Sequence, residues 1–215
     1  MTWPTIAIIG VGNVGTTLAR GWLRVGARVM LGTRDAGKPA VQALLDAFPE
    51  QAVALAAADA CATADVVVLT VPSAALDSAV QGCGNLAGRV VVDATNPVGP
   101  GLLHALAAGS NADRVAALAP GARVVKAFNT VGAEVMAHPA LAAGRASLGI
   151  AGDDAAAKAT VRTLAEALGF EVLDAGGLAR ARVLEHVALY WIGLSGARGR
   201  TFGFVASDRT PSAPH

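Results

Sequence analysis

Three glycines at fixed spacing, Gly10-Val11-Gly12-Asn13-Val14-Gly15, carry the clearest chemistry in this sequence. In a turn that grips a pyrophosphate each glycine has its own task. Gly10 permits a sharp turn, Gly12 brings bare backbone up to the phosphates, and Gly15 lets the next helix pack closely. Free N–H groups opening that helix, with its dipole behind them, attract negative charge. Glycine is common in ordinary turns, so the neighbours decide. A β-branched run, Thr5 to Ile9, precedes the turn, and Thr16 to Gly26 reads as a helix after it. Strand, glycine turn and helix together point to a dinucleotide site.

A second apolar run, Ala27 to Leu31, ends in Gly32-Thr33-Arg34. An NAD site places Asp or Glu near this point to bond the ribose 2′-hydroxyl. Met30 to Arg34 contains no acid. The Thr33 hydroxyl, the Arg34 guanidinium and the Lys38 ammonium suit a 2′-phosphate, which a carboxylate would repel. The reading favours NADP(H). The bland alternative makes Arg34 and Lys38 solvated loop charges, and Asp35 complicates the local balance.

Apolar runs without alternation mark buried parallel strands. Asp65 to Val71 stops at Pro72, with Ser73 as a candidate cap for a helix over Ala74 to Gln81. Arg89 to Thr95 stops at Asn96-Pro97, and Arg123 to Phe128 is followed by Asn129-Thr130. Lys38 to Phe48 and about Leu102 to Leu118 read as helical, with Ala52 to Leu55 a short strand. This alternation predicts an α/β fold, a Rossmann-type doubly wound parallel sheet. Ligands in such sheets bind beyond the carboxyl ends of the strands. Val71, Pro72, Asn96, Pro97, Lys126, Asn129 and Thr130 fall there with the glycine turn.

Residues 146–206 continue as a small C-terminal α/β domain behind a dinucleotide domain at 1–145. Ala146 to Ala151 and Phe170 to Leu173 are strand-like, and Asp153 or Asp154 caps the helix between them. A long helix spans Leu178 to about Ala197, and its stretch Val187 to Leu194 is apolar all round. Such a helix must be covered on every side, by a partner subunit or a flat apolar ligand. Residues 207–215 are polar and Pro-rich and are expected to be disordered.

Several residues have two readings. Lys126 donates to a substrate or reaches solvent from a strand end. Asn129 and Thr130 bond the nicotinamide amide or the second substrate, or cap a turn; Asn96 holds the nicotinamide ribose or makes an Asn-Pro turn. His186, beside Glu185, is the best general-acid candidate, against the reading of a core histidine. Asp93 reads as structural, and His104 and His138 are assigned no role. Cys61 and Cys83 lack metal-ligand spacing and read as small reduced core residues. The sequence shows no nucleophile elbow, no paired His ligands and no Cys cluster.

The 215 residues carry a formal net charge of +1 with no basic block, which argues against nucleic acid and anionic membrane as partners. Hydrophobic residues make up 53% and aromatics 4%, so the core is built from small aliphatic side chains. The N-terminus reads as a strand rather than a signal peptide, and no apolar run has spanning character. A cytoplasmic location is expected by default.

Taken together, the glycine turn, Gly32-Thr33-Arg34, Val71-Pro72, Asp93-Ala94-Thr95-Asn96-Pro97 and Val125-Lys126-Ala127-Phe128-Asn129-Thr130 resemble the NADPH:coenzyme F420 oxidoreductases, as do Leu184 to Ala188 and Tyr190-Trp191-Ile192. The resemblance implies NADP(H) along the glycine edge, a deazaflavin stacked on the nicotinamide, and a homodimer through the last helix. It also implies hydride passing directly between two cofactors, with alignment and dryness supplied by the protein. The dinucleotide unit is similar as well to those of membrane ferric reductases, pyrroline-carboxylate reductases and β-hydroxyacid dehydrogenases. Reduction of a small imine or ketone, or NADP binding without catalysis, are the competing readings.

Overall fold

The computed structural model describes residues 2–207; the expectation for the tail from 208 onward lies outside them. Six parallel strands form one sheet: β1 (Ile6–Ile9), β2 (Val29–Gly32), β3 (Ala52–Leu55), β4 (Val66–Leu69), β5 (Val90–Asp93) and β6 (Arg123–Lys126). Their order is β3-β2-β1-β4-β5-β6. The chain therefore reverses direction of winding between β1 and β4, which opens a crevice at their carboxyl ends. Strands β1, β2, β4 and β5 are buried at every position, as unbroken apolar runs require in a doubly covered sheet.

Helices α1 (Asn13–Arg24), α2 (Pro39–Ala47), α3 (Ala57–Thr63), α4 (Leu76–Gly82) and α5 (Asn111–Leu118) cover the two faces. Two apolar clusters result, one built on Ile6, Ile8, Val66 and Val68 and the other on Ala7, Ile9, Val67 and Leu69, the opposite sides of the same strands.

Two local expectations are corrected. Ser73 opens a single 3-10 turn (Ser73–Ala75), and α4 starts at Leu76 without a side-chain cap. The helix expected from Leu102 begins at Asn111 instead. Gly101, Leu102 and Gly109 have positive φ and break any earlier helix, and the reciprocal Ser110–Asp113 capping box sets the start.

Beyond β6 come a short helix α6 (Ala133–Ala137), a two-residue hairpin β7 (Ala140–Leu141) and β8 (Gly144–Arg145), then β9 (Ser147–Ile150), α7 (Ala155–Ala167), β10 (Glu171–Asp174) and the last helix α8 (Ala181–Arg198). Asp154 caps α7, accepting from the Ala157 N–H at 2.7 Å. Parallel strands β9 and β10 hang from the main sheet by a bridge between Lys126 and Ala151. The apolar core crosses residue 146 without a break. Trp22 of α1, fully buried, donates to the Leu164 carbonyl of α7 at 3.0 Å and packs edge-on to Phe128, which in turn meets Phe170.

The last helix is covered along one face, by its own chain. Leu184, Glu185, Ala188, Leu189 and Trp191 are buried, while Val183, His186, Tyr190 and Gly193 face outward. The chain after the helix folds back: Phe202 stacks on Trp191 and Phe204 on Tyr190. No helix among the described residues is long and apolar enough to cross a membrane.

Candidate functional site

The glycine turn has the geometry its spacing implies. Gly10 adopts φ +108°, and a side chain there would strike Thr70 and Val71. Thr70 locks the turn, its hydroxyl donating to the Gly10 carbonyl at 2.6 Å. A Cβ on Gly15 would overlap the Gly10 carbonyl oxygen and sit 2.7 Å from the Thr70 hydroxyl. Gly15 is thus what lets α1 close onto the turn. Gly12 differs: it is exposed, and a Cβ there would point into open space. It is also the N-cap of α1 and provides no side-chain cap. The first N–H groups of the helix, with Asn13 and Val14 at its opening, are left to an anionic ligand.

A cavity of about 470 Å³ opens beside this turn. Gly10, Thr33, Arg34, Lys38 and Val71 all line it, so the structure joins the pyrophosphate turn to the candidate 2′-phosphate residues. Arg34 and Lys38 are exposed. Asp35 lines the same cavity, but its carboxylate accepts from the Gly37 N–H at 3.0 Å, inside a local turn. Thr33 participates in that turn through the Asp35 backbone. These residues fit a phosphorylated dinucleotide: open space at Gly12, free helix N–H groups, and two cations with the nearby acid engaged elsewhere. A cavity of similar size, about 480 Å³, lies at the opposite end of the sheet around Arg28, Gln51 and Thr63 and has no glycine turn.

The carboxyl ends of β5 and β6 hold a closed polar cluster. Lys126 is fully buried, not at a cleft or in solvent as both of its readings required. Its ammonium donates to Asp93 Oδ2 at 2.8 Å, Glu185 Oε1 at 2.8 Å and the Thr95 carbonyl at 2.5 Å. Three N–H groups meet three acceptors, leaving none for a ligand. Asp93 also accepts from the Thr95 N–H and hydroxyl, the structural role expected of it. Glu185, also fully buried, accepts from the Asn111 N–H that opens α5 and pairs with His104 Nε2 at 2.7 Å.

His104 and Glu185 are what sequence reasoning missed. His104 lies in a loop but is shielded by α8; its ring stacks on His186 at 4.9 Å. A signal for Glu185 existed: a lone carboxylate on the face of an apolar helix needs a buried cation, and Lys126 ends an equally apolar strand. His186, the acid candidate, is exposed, with Nδ1 bonded to the Arg182 carbonyl at 2.7 Å.

Asn96 and Asn129 are brought together. Asn96 donates to the Asn129 carbonyl at 2.8 Å, and Asn129 returns a bond to Asn96 Oδ1 at 3.0 Å. Pro97 and Thr130 are buried beside them in sequence, and Pro72 is exposed at the end of β4. None of these five lines the cavity at the glycine turn.

A family described as NADP oxidoreductase, coenzyme F420-dependent, matches residues 5–97. The chain is 32% identical over 206 residues to an F420-dependent NADP reductase of Methanothermobacter thermautotrophicus, covering 88% of each. It is 33% identical over 186 residues to metalloreductase STEAP3 of Rattus norvegicus, but spans 36% of that protein's length. A crystal structure of a putative F420-dependent NADP-reductase from Arthrobacter sp. FB24 superposes with a TM-score of 0.84 at 35% identity, covering 94% of this chain and 99% of that one. With the Methanothermobacter and Arthrobacter proteins matched along 88% and 99% of their length, the chain belongs to the coenzyme F420-dependent NADP oxidoreductase family and is an NADP-dependent oxidoreductase.

Proposed function

We propose that this chain transfers hydride between NADP(H) and a planar deazaflavin acceptor, coenzyme F420. The observation that carries the reading is the state of the ionisable groups at the β5 and β6 ends. Lys126, Asp93 and Glu185 satisfy one another in a dry cluster, and His186 is turned outward onto Arg182. Reduction of a ketone or imine calls for a positioned proton donor; of the two side chains considered for that task, Lys126 is engaged in the cluster, and His186 is exposed and does not line the cavity at the glycine turn. Transfer between two bound cofactors asks for alignment instead.

The residues divide the work as follows. Gly12 and the start of α1 hold the pyrophosphate. Arg34 and Lys38 hold the 2′-phosphate, with Thr33 beside them. Val71, Pro72, Asn96 and Pro97 border the redox end, and Asn129 and Thr130 lie one strand further along. When bound, NADPH supplies a hydride, and the acceptor takes it up with a proton from solvent. The exposed stripe of Val183 and Tyr190 on α8 supports pairing of two copies through that helix; sedimentation of wild type against Tyr190→Asp tests it.

Mixing the protein with NADPH and oxidised F420, while following both chromophores, tests the main reading. Stoichiometric loss of both is expected. No turnover at saturating concentrations of each would overturn it. Turnover of cyclic imines abolished by His186→Ala would replace it with the small-substrate reading.

A further inference from the structure

A cavity of about 320 Å³ lies between α1, the start of α2, α6 and the end of α7. It shares no lining residue with the cavity at the glycine turn. Arg20 and Arg24 stand in its wall with Thr16 and Thr17, and no acidic residue lines it. These four positions follow one another at three- and four-residue steps and so share one face of α1.

The protein leaves both guanidiniums unanswered. Arg114, Arg162 and Arg200 each meet a carboxylate. Arg20 and Arg24 have neither an ion pair nor a hydrogen bond among the described residues, although Arg20 is half-buried. Like charges four apart on a helix repel. Arg24 sits in the last turn of α1, where the dipole favours a cation. Arg20 is a turn earlier and gains little from it. The Thr16 hydroxyl is spent on the Gly12 carbonyl at 2.8 Å, whereas the Thr17 hydroxyl has no partner among the described residues.

The rest of the wall is apolar. Met136 is buried, and Ala167 and Leu168 are half-buried. Gly21 makes this floor possible: a Cβ there would lie 2.6 Å from a Leu168 methyl carbon, so a bare position lets Leu168 come up against α1 beside the arginines. At about 30 Å³ per water the cavity has the volume of about ten waters, more than a lone ion needs. We infer that this groove binds a small phosphorylated molecule, with its phosphoryl group between Arg20, Arg24 and the Thr17 hydroxyl and its carbon body on Met136 and Leu168. A phosphate dianion balances two cations, and its oxygens match the guanidinium forks in pairs. The inference goes beyond the proposed reaction and stands whichever compound accepts the hydride.

Phenyl phosphate, inorganic phosphate and benzyl alcohol, titrated by calorimetry at constant ionic strength into protein saturated with NADP⁺, provide the test. One saturable site for phenyl phosphate is expected, tighter than for inorganic phosphate by at least about fivefold because the ring leaves water. Benzyl alcohol should not saturate. Arg20→Gln with Arg24→Gln should raise the Kd for phenyl phosphate at least about tenfold, the loss of charge-assisted bonds. Ala40→Glu sets a carboxylate in the same groove from an exposed position and should weaken binding with both arginines intact. Binding seen only without NADP⁺ would put the ligand at the glycine turn and overturn the inference. An unchanged Kd in the double variant overturns it too, and equal affinities for the two phosphates would mean an adventitious ion only. If the double variant weakens NADPH, read by fluorescence, the arginines serve the dinucleotide and the inference falls. Should that variant not fold, Ala40→Glu still decides.

Discussion

Replacing Lys126 with methionine tests the buried cluster most directly. The side chain keeps its length and loses its charge. Asp93 and Glu185 then remain as two carboxylates at zero exposure. Each keeps some partners: Thr95 for Asp93, and Asn111 and His104 for Glu185. None of these replaces the cation between them. Removing one member of a buried ion pair costs about 3–5 kcal/mol. A chain of this length shifts about 2–4 °C per kcal/mol, so the thermal midpoint should fall by about 6–20 °C. Circular dichroism melts are the assay. Adding Glu185→Gln should recover part of the loss, with a coupling of about 0.5–3 kcal/mol between the two sites. A shift under about 2 °C would refute the argument.

The glycines should separate binding from folding. Gly12→Ala should leave the melting temperature within about 2 °C, since its Cβ meets nothing, yet weaken NADPH at least about tenfold by occupying the pyrophosphate position. Gly15→Ala should cost about 1–3 kcal/mol of stability in a melt because it forces α1 away from the Gly10 turn. Arg34→Ala should raise the Kd for NADPH by about 10–150-fold, the loss of a charge-assisted bond of about 1.5–3 kcal/mol, while NADH binding measured by fluorescence stays unchanged. The neighbouring Cys83 and burial push the Cys61 thiol up, and both cysteines are buried; neither should react with a thiol reagent until denaturant is added. The Lys158 ammonium holds the Asp174 carboxyl below its ordinary value. The linked stability is present above the unfolded carboxylate's pKa and is lost as pH falls through the lower folded value. The pair is partly exposed, so a Lys158→Met melt should show about 0.2–1 kcal/mol at neutral pH and less in acid.

Local chemistry was legible wherever a residue acts through its own backbone. The order of strand, glycine turn and helix, the acid-free end of β2 and the buried strands all follow from neighbours in sequence, and the structure has each of them. Contacts between distant segments were not legible. Lys126, His104 and Glu185 are separated by many residues and meet because α8 crosses the ends of β5 and β6. A reading one residue at a time assigned Lys126 to solvent or substrate and His104 to nothing. The helix expected at Leu102 failed for a local reason, three positive-φ residues and a capping box whose combined effect outweighs apolar periodicity. The turn at Gly10 also depends on Thr70, sixty residues away, which no local pattern marks.

The C-terminal segment has a structural reason to exist at the β6 end of the sheet. Six strands give a carboxyl edge about 24 Å long at about 4.8 Å per strand. In the proposed reading the glycine turn at β1 takes the pyrophosphate and the residues at the end of β2 the 2′-phosphate, which puts the adenosine on the β3 side. On the other side β6 would present a bare edge, with unpaired backbone groups and a tendency to join other sheets. The Lys126–Ala151 bridge pairs the last residue of that edge, α7 packs behind it, and α8 crosses its top. The same bridge residue, Lys126, sends its side chain into Glu185 of α8. One lysine therefore joins sheet edge, small sheet and covering helix. Closing the edge and seating α8 across it become a single packing event, so the geometry at this end of the sheet is set by folding itself.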